Sequence, residues 1–325
     1  MKKRALGKAG LSVAEIGLGC MGMSWAYGQA NEQAGIKVIE RAIELGVDFF
    51  DTAEVYGPYT NERLVGKALK GKRDRAVVAT KFGFKIENGA VVGVDSHPRN
   101  VRRACDDSLS RLGLEYIDLF YQHRFDPQIP IEEVVGTMAE LVEAGKVRFL
   151  GLSEVGSNTL RRASREHQIS CLQSEYSIWE RNLEDGVLDT CRELGIGLVA
   201  YCPLGRGLLS GELKSVEALP EDDYRRKDPR YQGDNFKKNL ELVEVVKRIA
   251  GKHGATPAQV AIAWTLSQGE EIVPIPGTKR VAYLEKNIEA SHLVLDRSDL
   301  EELDGLHRRT AGARYSPEQM ARIER

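Results

Sequence analysis

The chain has 325 residues, with 46 lysine and arginine residues against 48 aspartate and glutamate residues, for a formal net charge of −2. That balance argues against a protein built mainly to grip nucleic acid, which needs a concentrated basic footprint. With 42% hydrophobic residues, the chain reads as globular rather than disordered or fibrous, and its length fits one large core or two modest ones.

In chain order, a small hairpin is predicted around Gly7-Lys8-Ala9-Gly10. Short apolar runs then alternate with amphipathic stretches. The predicted strands are Ala14–Gly19, Val47–Asp51, Ala76–Lys81, Tyr116–Tyr121, Val147–Gly151, Ser170–Ser174, Ile196–Ala200 and Ile272–Ile275. Most lack polar alternation, as expected of strands covered on both faces. Between them, Glu32–Leu45 sets Ile36, Ile39 and Ile43 on one helical face. From Ile131, apolar residues recur at Val134, Val135, Met138, Leu141 and Val142, again at the helical period. Leu240–Ile249 does the same, and Pro257 suits the first position of a further helix.

Eight strands with helical stretches between them, plus C-terminal helices, predict a single α/β domain over residues 1–325. It is a (β/α)8 TIM barrel with an N-terminal β-hairpin and a C-terminal helical extension. An open doubly wound sheet is the weaker choice. The run Gly17-Leu18-Gly19-Cys20-Met21-Gly22 lacks GxGxxG spacing, so its glycines read better as close packing or a tight turn. Residues 201–238 are predicted as an extended loop region near the mouth. Their polar part, Leu213–Lys238, is either a solvated insertion or a loop over the site. The polar tail from Thr310 onward is either a cap on the barrel or a mobile end.

The five cysteines, at 20, 105, 171, 191 and 202, form no CxxC pair, which argues for a reducing compartment. No long apolar run follows Met1-Lys2-Lys3-Arg4 or recurs later, so neither a secretory leader nor a membrane span is expected. A cytoplasmic location is the expectation.

Four polar residues sit at predicted strand ends. Asp51 ends the second, Tyr56 follows it, Lys81 ends the third and His123 follows the fourth. Singly, each has an ordinary reading as a cap, a surface aromatic, a solvated lysine or a loop histidine. In a barrel they share one mouth. Together they could protonate an oxygen that gains negative charge. The lysine would lower the tyrosine pKa, the aspartate would fix the lysine, and the histidine would orient the oxygen. Asp51, Glu54, His123 and Glu175 also invite a metal-hydrolase reading, but one histidine in that group makes a metal site a poor choice.

The motif Asp51-Thr52-Ala53-Glu54-Val55-Tyr56-Gly57, with Thr80-Lys81-Phe82-Gly83 and Gln122-His123-Arg124, resembles the aldo-keto reductase family. The likeness is to bacterial and plant long-loop members and covers nearly the whole chain, from Leu6-Gly7 to Pro276-Gly277-Thr278. It implies a catalytic tetrad of Asp51, Tyr56, Lys81 and His123. It also implies NADP(H) lying extended across the barrel mouth. Ser153 and Gln173 would then meet the carboxamide, and Tyr201 would stack on the nicotinamide. Pro203, Leu204, Gly205 and Arg206 would meet the pyrophosphate. Gly277, Thr278, Lys279 and Arg280 would meet the 2′-phosphate, and Asn287 the adenine. Trp25 and Tyr27 read as substrate-pocket residues.

The implied activity is NADPH-dependent reduction of a small aldehyde or ketone, with neither nucleic acid nor membrane as partner. The alternative is a non-catalytic barrel that senses nicotinamide nucleotides. The chain departs from the family pattern at Glu154, where many members have asparagine, at Tyr283, where many have arginine, and at Lys286, where glutamate is common. These positions touch the cofactor contacts rather than the reductase chemistry. No pattern assigns a substrate or an oligomeric state.

Overall fold

A computed structural model describes residues 1–324. Eight strands form one parallel sheet: β1 (Leu18–Gly19), β2 (Phe49–Asp51), β3 (Val77–Phe82), β4 (Ile117–Gln122), β5 (Val147–Ser153), β6 (Ile169–Glu175), β7 (Gly197–Tyr201) and β8 (Ile272–Pro274). Each strand pairs with the one before it, in simple chain order. The curled sheet returns on itself where the Gly17 N–H donates to Pro274 O at 3.0 Å. The expected (β/α)8 barrel is the fold found.

Helices α1 (Glu32–Glu44), α2 (Thr60–Leu69), α3 (Pro98–Leu112), α4 (Ile131–Glu143), α5 (Ser157–Glu166) and α6 (Val187–Leu194) alternate with the strands. Two helices, α7 (Gly233–Lys252) and α8 (Pro257–Ser267), precede β8. After β8 come α9 (Val281–Glu289), α10 (Arg297–Asp304) and the short α11 (Pro317–Met320). Pro257 does open a helix, behind a capping box between Thr256 and Gln259. Among the described residues, no helix is long and apolar enough to cross a membrane.

Three boundaries differ from the sequence reading. The stretch Ala14–Gly19 is two pieces. Its start pairs antiparallel with Lys3–Ala5 as a hairpin, and only Leu18–Gly19 joins the barrel. Helix α7 begins inside the polar linker, because its first turn is mostly solvated and lacks an apolar stripe until Phe236 and Leu242. A second hairpin, Phe84–Glu87 with Ala90–Val94, follows β3. Its turn is Asn88-Gly89 with both residues at positive φ, a recognisable hairpin signal that the sequence reading passed over.

Strand period explains where the site forms. Phe49, Ala79, Leu119, Cys171 and Val199 fill the barrel interior, with Leu6, Leu11 and Val13 of the first hairpin beneath them. Side chains two residues onward keep the same inward face. Asp51, Lys81, Tyr121, Gln173 and Tyr201 therefore point inward one layer higher, at the carboxyl ends. Gly151 belongs to that layer too. A Cβ there would lie 2.5 Å from the Tyr121 ring, so only glycine leaves room for it. The glycine-rich run near β1 is likewise packing. Cβ atoms at Gly17 and Gly19 would sit 2.7 Å from Phe49 Cδ1 and 2.8 Å from Ile275 O.

Candidate active site

Asp51 and Lys81 meet in the barrel interior, both almost wholly buried. The lysine ammonium donates to Asp51 Oδ1, to Thr52 O at 2.8 Å and to Tyr56 Oη at 3.4 Å. All three of its protons thus have acceptors. The second Asp51 oxygen accepts from Gln173 Nε2 at 2.7 Å. Burial pushes the Asp51 carboxyl up and pulls the Lys81 ammonium down, and their contact opposes both shifts.

The Tyr56 phenol is pushed well above its ordinary value of 10.0, first by burial and then by the Asp51 carboxylate, while Arg124 opposes. The lowering expected from the nearby lysine does not dominate, because Lys81 is already neutralised by Asp51. Tyr56 is therefore a neutral phenol near pH 7. With Lys81 donating to its oxygen, its own hydrogen is free to point into the cavity. The His123 ring stands edge-on to Tyr56, with centroids 5.8 Å apart. Burial, then Arg124 and Lys81, hold that imidazole well below 6.5, so it is neutral too. Its Nδ1 has no partner among the described residues.

The turn carrying Tyr56 is tied to β3 through Glu54, whose Oε1 accepts from Gly83 N at 3.1 Å. Burial, and then the Glu62 carboxylate, push the Glu54 carboxyl from 4.5 up to about 7. Folded protein then holds a proton that unfolded chain has lost, so stability falls as pH rises from 4.5 to about 7. Glu54→Gln keeps the acceptor and removes the titration. It is expected to stabilise the protein by about 3 kcal/mol at pH 8 and by little at pH 4. Calorimetric unfolding at the two pH values checks this, and equal shifts at both would refute it.

A cavity of about 940 Å3 opens above these residues. Ser153, Gln173, Tyr201, Pro203, Leu204, Gly277, Thr278, Lys279 and Arg280 line it, as do Trp25 and Tyr27. Asp51 is the only acidic side chain among the lining residues. One end holds Tyr56 and His123, and the β8 end holds Lys279 and Arg280. An anionic molecule with a reactive end fits this distribution of charge. Lys279 Nζ donates to Tyr27 O at 2.5 Å and Gln29 O at 3.1 Å, holding the loop after β1 against the loop after β8. Arg280 stacks on Tyr283, 3.9 Å from its ring centroid.

Three of the residues grouped with these are placed differently. Gly205 packs under Trp179, where a Cβ would come within 2.4 Å of the ring. Asn287 is buried in α9 and is not among the residues lining the cavity. Arg206 lines the wall, but its side chain is only 3% exposed and its guanidinium is engaged by Asp228 and by Glu175 at 2.8 Å. The positive charge expected to face a pyrophosphate is neutralised within the protein.

Arg206 belongs to a buried ion network that closes one side of the mouth. Arg314, from the tail, donates to Glu154 and, at 3.0 Å, to Glu175. It also donates to Tyr201 Oη at 2.7 Å, which in turn bonds Tyr315 Oη at 2.7 Å. Burial raises the Glu154 carboxyl, but Arg314 and Arg124 outweigh it and hold the group down to about 2. Glu154, at φ +56, is thus turned to the tail. The tail caps the mouth. The sequence reading missed Arg124, Arg314 and Tyr315. Arg124 had a signal in its place beside His123, whereas the tail residues had none.

A family model described as "Aldo/keto reductase family" matches residues 15–308. The chain belongs to the aldo/keto reductase family. A "Probable aldo-keto reductase 1" of Glycine max is 47% identical over 300 residues, covering 92% of this chain and 86% of that protein. Among solved structures, a glycerol dehydrogenase of Gluconobacter oxydans superposes with a TM-score of 0.86 at 29% identity, covering 97% of each chain. The holo form of an aldo-keto reductase from Bacillus halodurans superposes with a TM-score of 0.77 at 26% identity, covering 98% of this chain and 99% of that one. The reductase is a carbonyl-reducing oxidoreductase, and the family fold is one that uses NADP(H).

Proposed function

We propose that the reductase converts small aldehydes or ketones to alcohols with NADPH, using Tyr56 as proton donor. The observation that carries this reading is the buried Asp51–Lys81 pair beside a neutral Tyr56, under a cavity that ends in Lys279 and Arg280. When bound, the nicotinamide cofactor supplies hydride to the carbonyl carbon. The protein's part is to bind, orient and protonate. Ser153 and Gln173 would hold the carboxamide, and Tyr201 would form the wall against the ring. Backbone groups of Pro203, Leu204 and Arg206 would face the pyrophosphate, while Lys279, Arg280 and Thr278 would meet the 2′-phosphate. The 201–238 segment shapes that side of the pocket.

At the reacting end, neutral His123 and the Tyr56 hydroxyl converge on the substrate oxygen. As negative charge grows there, the phenol proton transfers to it. The Lys81 ammonium then stabilises the phenolate, within a site that excludes water.

The test is oxidation of NADPH and of NADH over a varied panel of aldehydes and ketones. Carbonyl-dependent oxidation is expected, with kcat/KM about ten-fold or more higher for NADPH, because phosphate contacts to cations are charge-assisted. Equal use of both cofactors would overturn the 2′-phosphate assignment. NADPH binding without turnover of any carbonyl would favour a nucleotide sensor instead.

A further inference from the structure

Arg124 has no role in the scheme above, although it lines the cavity beside His123. Five arginines line that cavity: 124, 206, 225, 280 and 322. Four have carboxylate partners. Arg206 has Glu175 and Asp228, Arg225 has Asp223, Arg280 has Glu212 and Arg322 has Glu318. Among the described residues, Arg124 alone of the five has no carboxylate within 4.0 Å.

One arm of its guanidinium is fixed. Nη1 donates to His123 O at 2.7 Å and reaches Ser153 Oγ at 3.4 Å. Nε and Nη2 make no hydrogen bond among the described residues. These two donors form the side of the guanidinium fork that matches a carboxylate bidentately. An arginine cannot shed its proton to escape burial. An unpaired guanidinium at a partly dry wall is costly unless something pairs with it. More distant polar groups also act on it: Tyr201, Tyr315 and Glu154 favour its charge and Arg314 opposes it. The guanidinium carbon lies 5.9 Å from the Phe84 ring centroid, and Phe84 packs with Val55 and Val91 in an apolar patch of the cavity wall.

The location separates Arg124 from the phosphate cations. It follows β4, four strands round the barrel from β8, which precedes Lys279 and Arg280. It is next to the proton-donating end of the cavity, where Tyr56 and His123 stand.

We infer that Arg124 anchors a carboxylate on the substrate, so that the preferred substrates are carbonyl compounds with an acidic group and an apolar body. The inference rests on the reductase reading and names its substrate class. Arg124 sets specificity. The proton still comes from Tyr56.

The test compares wild type with Arg124→Met and Arg124→Lys on matched acids and esters. The pairs are phenylglyoxylate with its methyl ester, and 4-carboxybenzaldehyde with methyl 4-formylbenzoate. Taking the acid-to-ester ratio of kcat/KM cancels differences in intrinsic reactivity between variants. In Arg124→Met that ratio is expected to fall about ten-fold or more for at least one pair, chiefly through KM of the acid. Arg124→Lys should recover part of the loss, because it keeps the charge but not the fork. Ratios unchanged within about two-fold would overturn the anchor and leave the reductase reading intact. So would a loss of NADPH affinity in Arg124→Met by fluorescence titration, since the arginine would then serve the cofactor.

If the wild type reduces none of the four compounds, calorimetric binding of benzoate to the NADPH-loaded protein decides the anchor separately. Benzoate affinity lost in Arg124→Met supports it, and unchanged or absent affinity overturns it.

Discussion

Tyr56→Phe is expected to lower kcat for carbonyl reduction about a thousand-fold, within the range that general acid catalysis supplies. The ring is buried and stands edge-on to His123, so phenylalanine keeps the packing and loses only the hydroxyl. The lost hydroxyl accepts at 3.4 Å from Lys81, which retains Asp51 and Thr52 O as partners. Stability should therefore change little. NADPH affinity should hold within about three-fold, since Tyr56 touches the reacting end of the cavity. Stopped-flow hydride transfer and fluorescence titration measure the two quantities. Wild-type turnover in a folded Tyr56→Phe protein would end the proton-donor assignment.

The pH dependence follows from the same geometry. A donor must be protonated, and Tyr56 is held well above 10.0 by burial and Asp51. His123 is held neutral from well below 6.5 upward. Neither group titrates between pH 7 and 9, so the rate of reduction should be level there, with loss on the alkaline side as the phenol ionises.

Arg206→Met is expected to destabilise the protein by about 3–5 kcal/mol, the usual cost of removing one partner from a buried ion pair. Methionine fills much of the volume, so the loss is electrostatic. Glu175 would keep Arg314 at 3.0 Å and Arg230 at 3.7 Å, but Asp228 would be left without its cation. Burial already pushes the Asp228 carboxyl up with Arg206 present. Without it, Asp228 would take up a proton or drag the long loop open. Urea denaturation gives the stability. NADPH titration of folded variant should show affinity within about three-fold of wild type, because the guanidinium faces Glu175 and Asp228. A large loss of affinity with unchanged stability would place the charge on the pyrophosphate instead.

Arg206 also marks the limit of what the sequence reading could reach. In the sequence it is a basic residue in a glycine-rich segment, a setting that suggests a phosphate contact. Nothing local announces that Glu175, at the end of β6, and Asp228, in the long loop, converge on it. Lys279 and Arg280 line the cavity without such a buried network: carbonyls of Tyr27 and Gln29 hold the first, and the second meets the exposed Glu212. Glu154 was similarly opaque, because its partner Arg314 is 160 residues away. The hairpin at Asn88-Gly89 was legible from its turn residues and went unread.

The sequence by itself determined the barrel, because short apolar strand runs and helical stripes are local patterns that repeat along the chain. It placed Asp51 and Lys81 at strand ends, with Tyr56 and His123 shortly after strand ends, and the resemblance of their local motifs to the aldo-keto reductase family marked the four as a set. Tertiary structure alone decided which charges remain available. It neutralised Arg206 with two acids, turned Glu154 to the tail, and held Tyr56 neutral despite its lysine. It left Arg124 unpaired beside the reacting end. A charge's effect depends on what lies within a few ångströms and on how much water is excluded, and neither distance nor water is written in residue order.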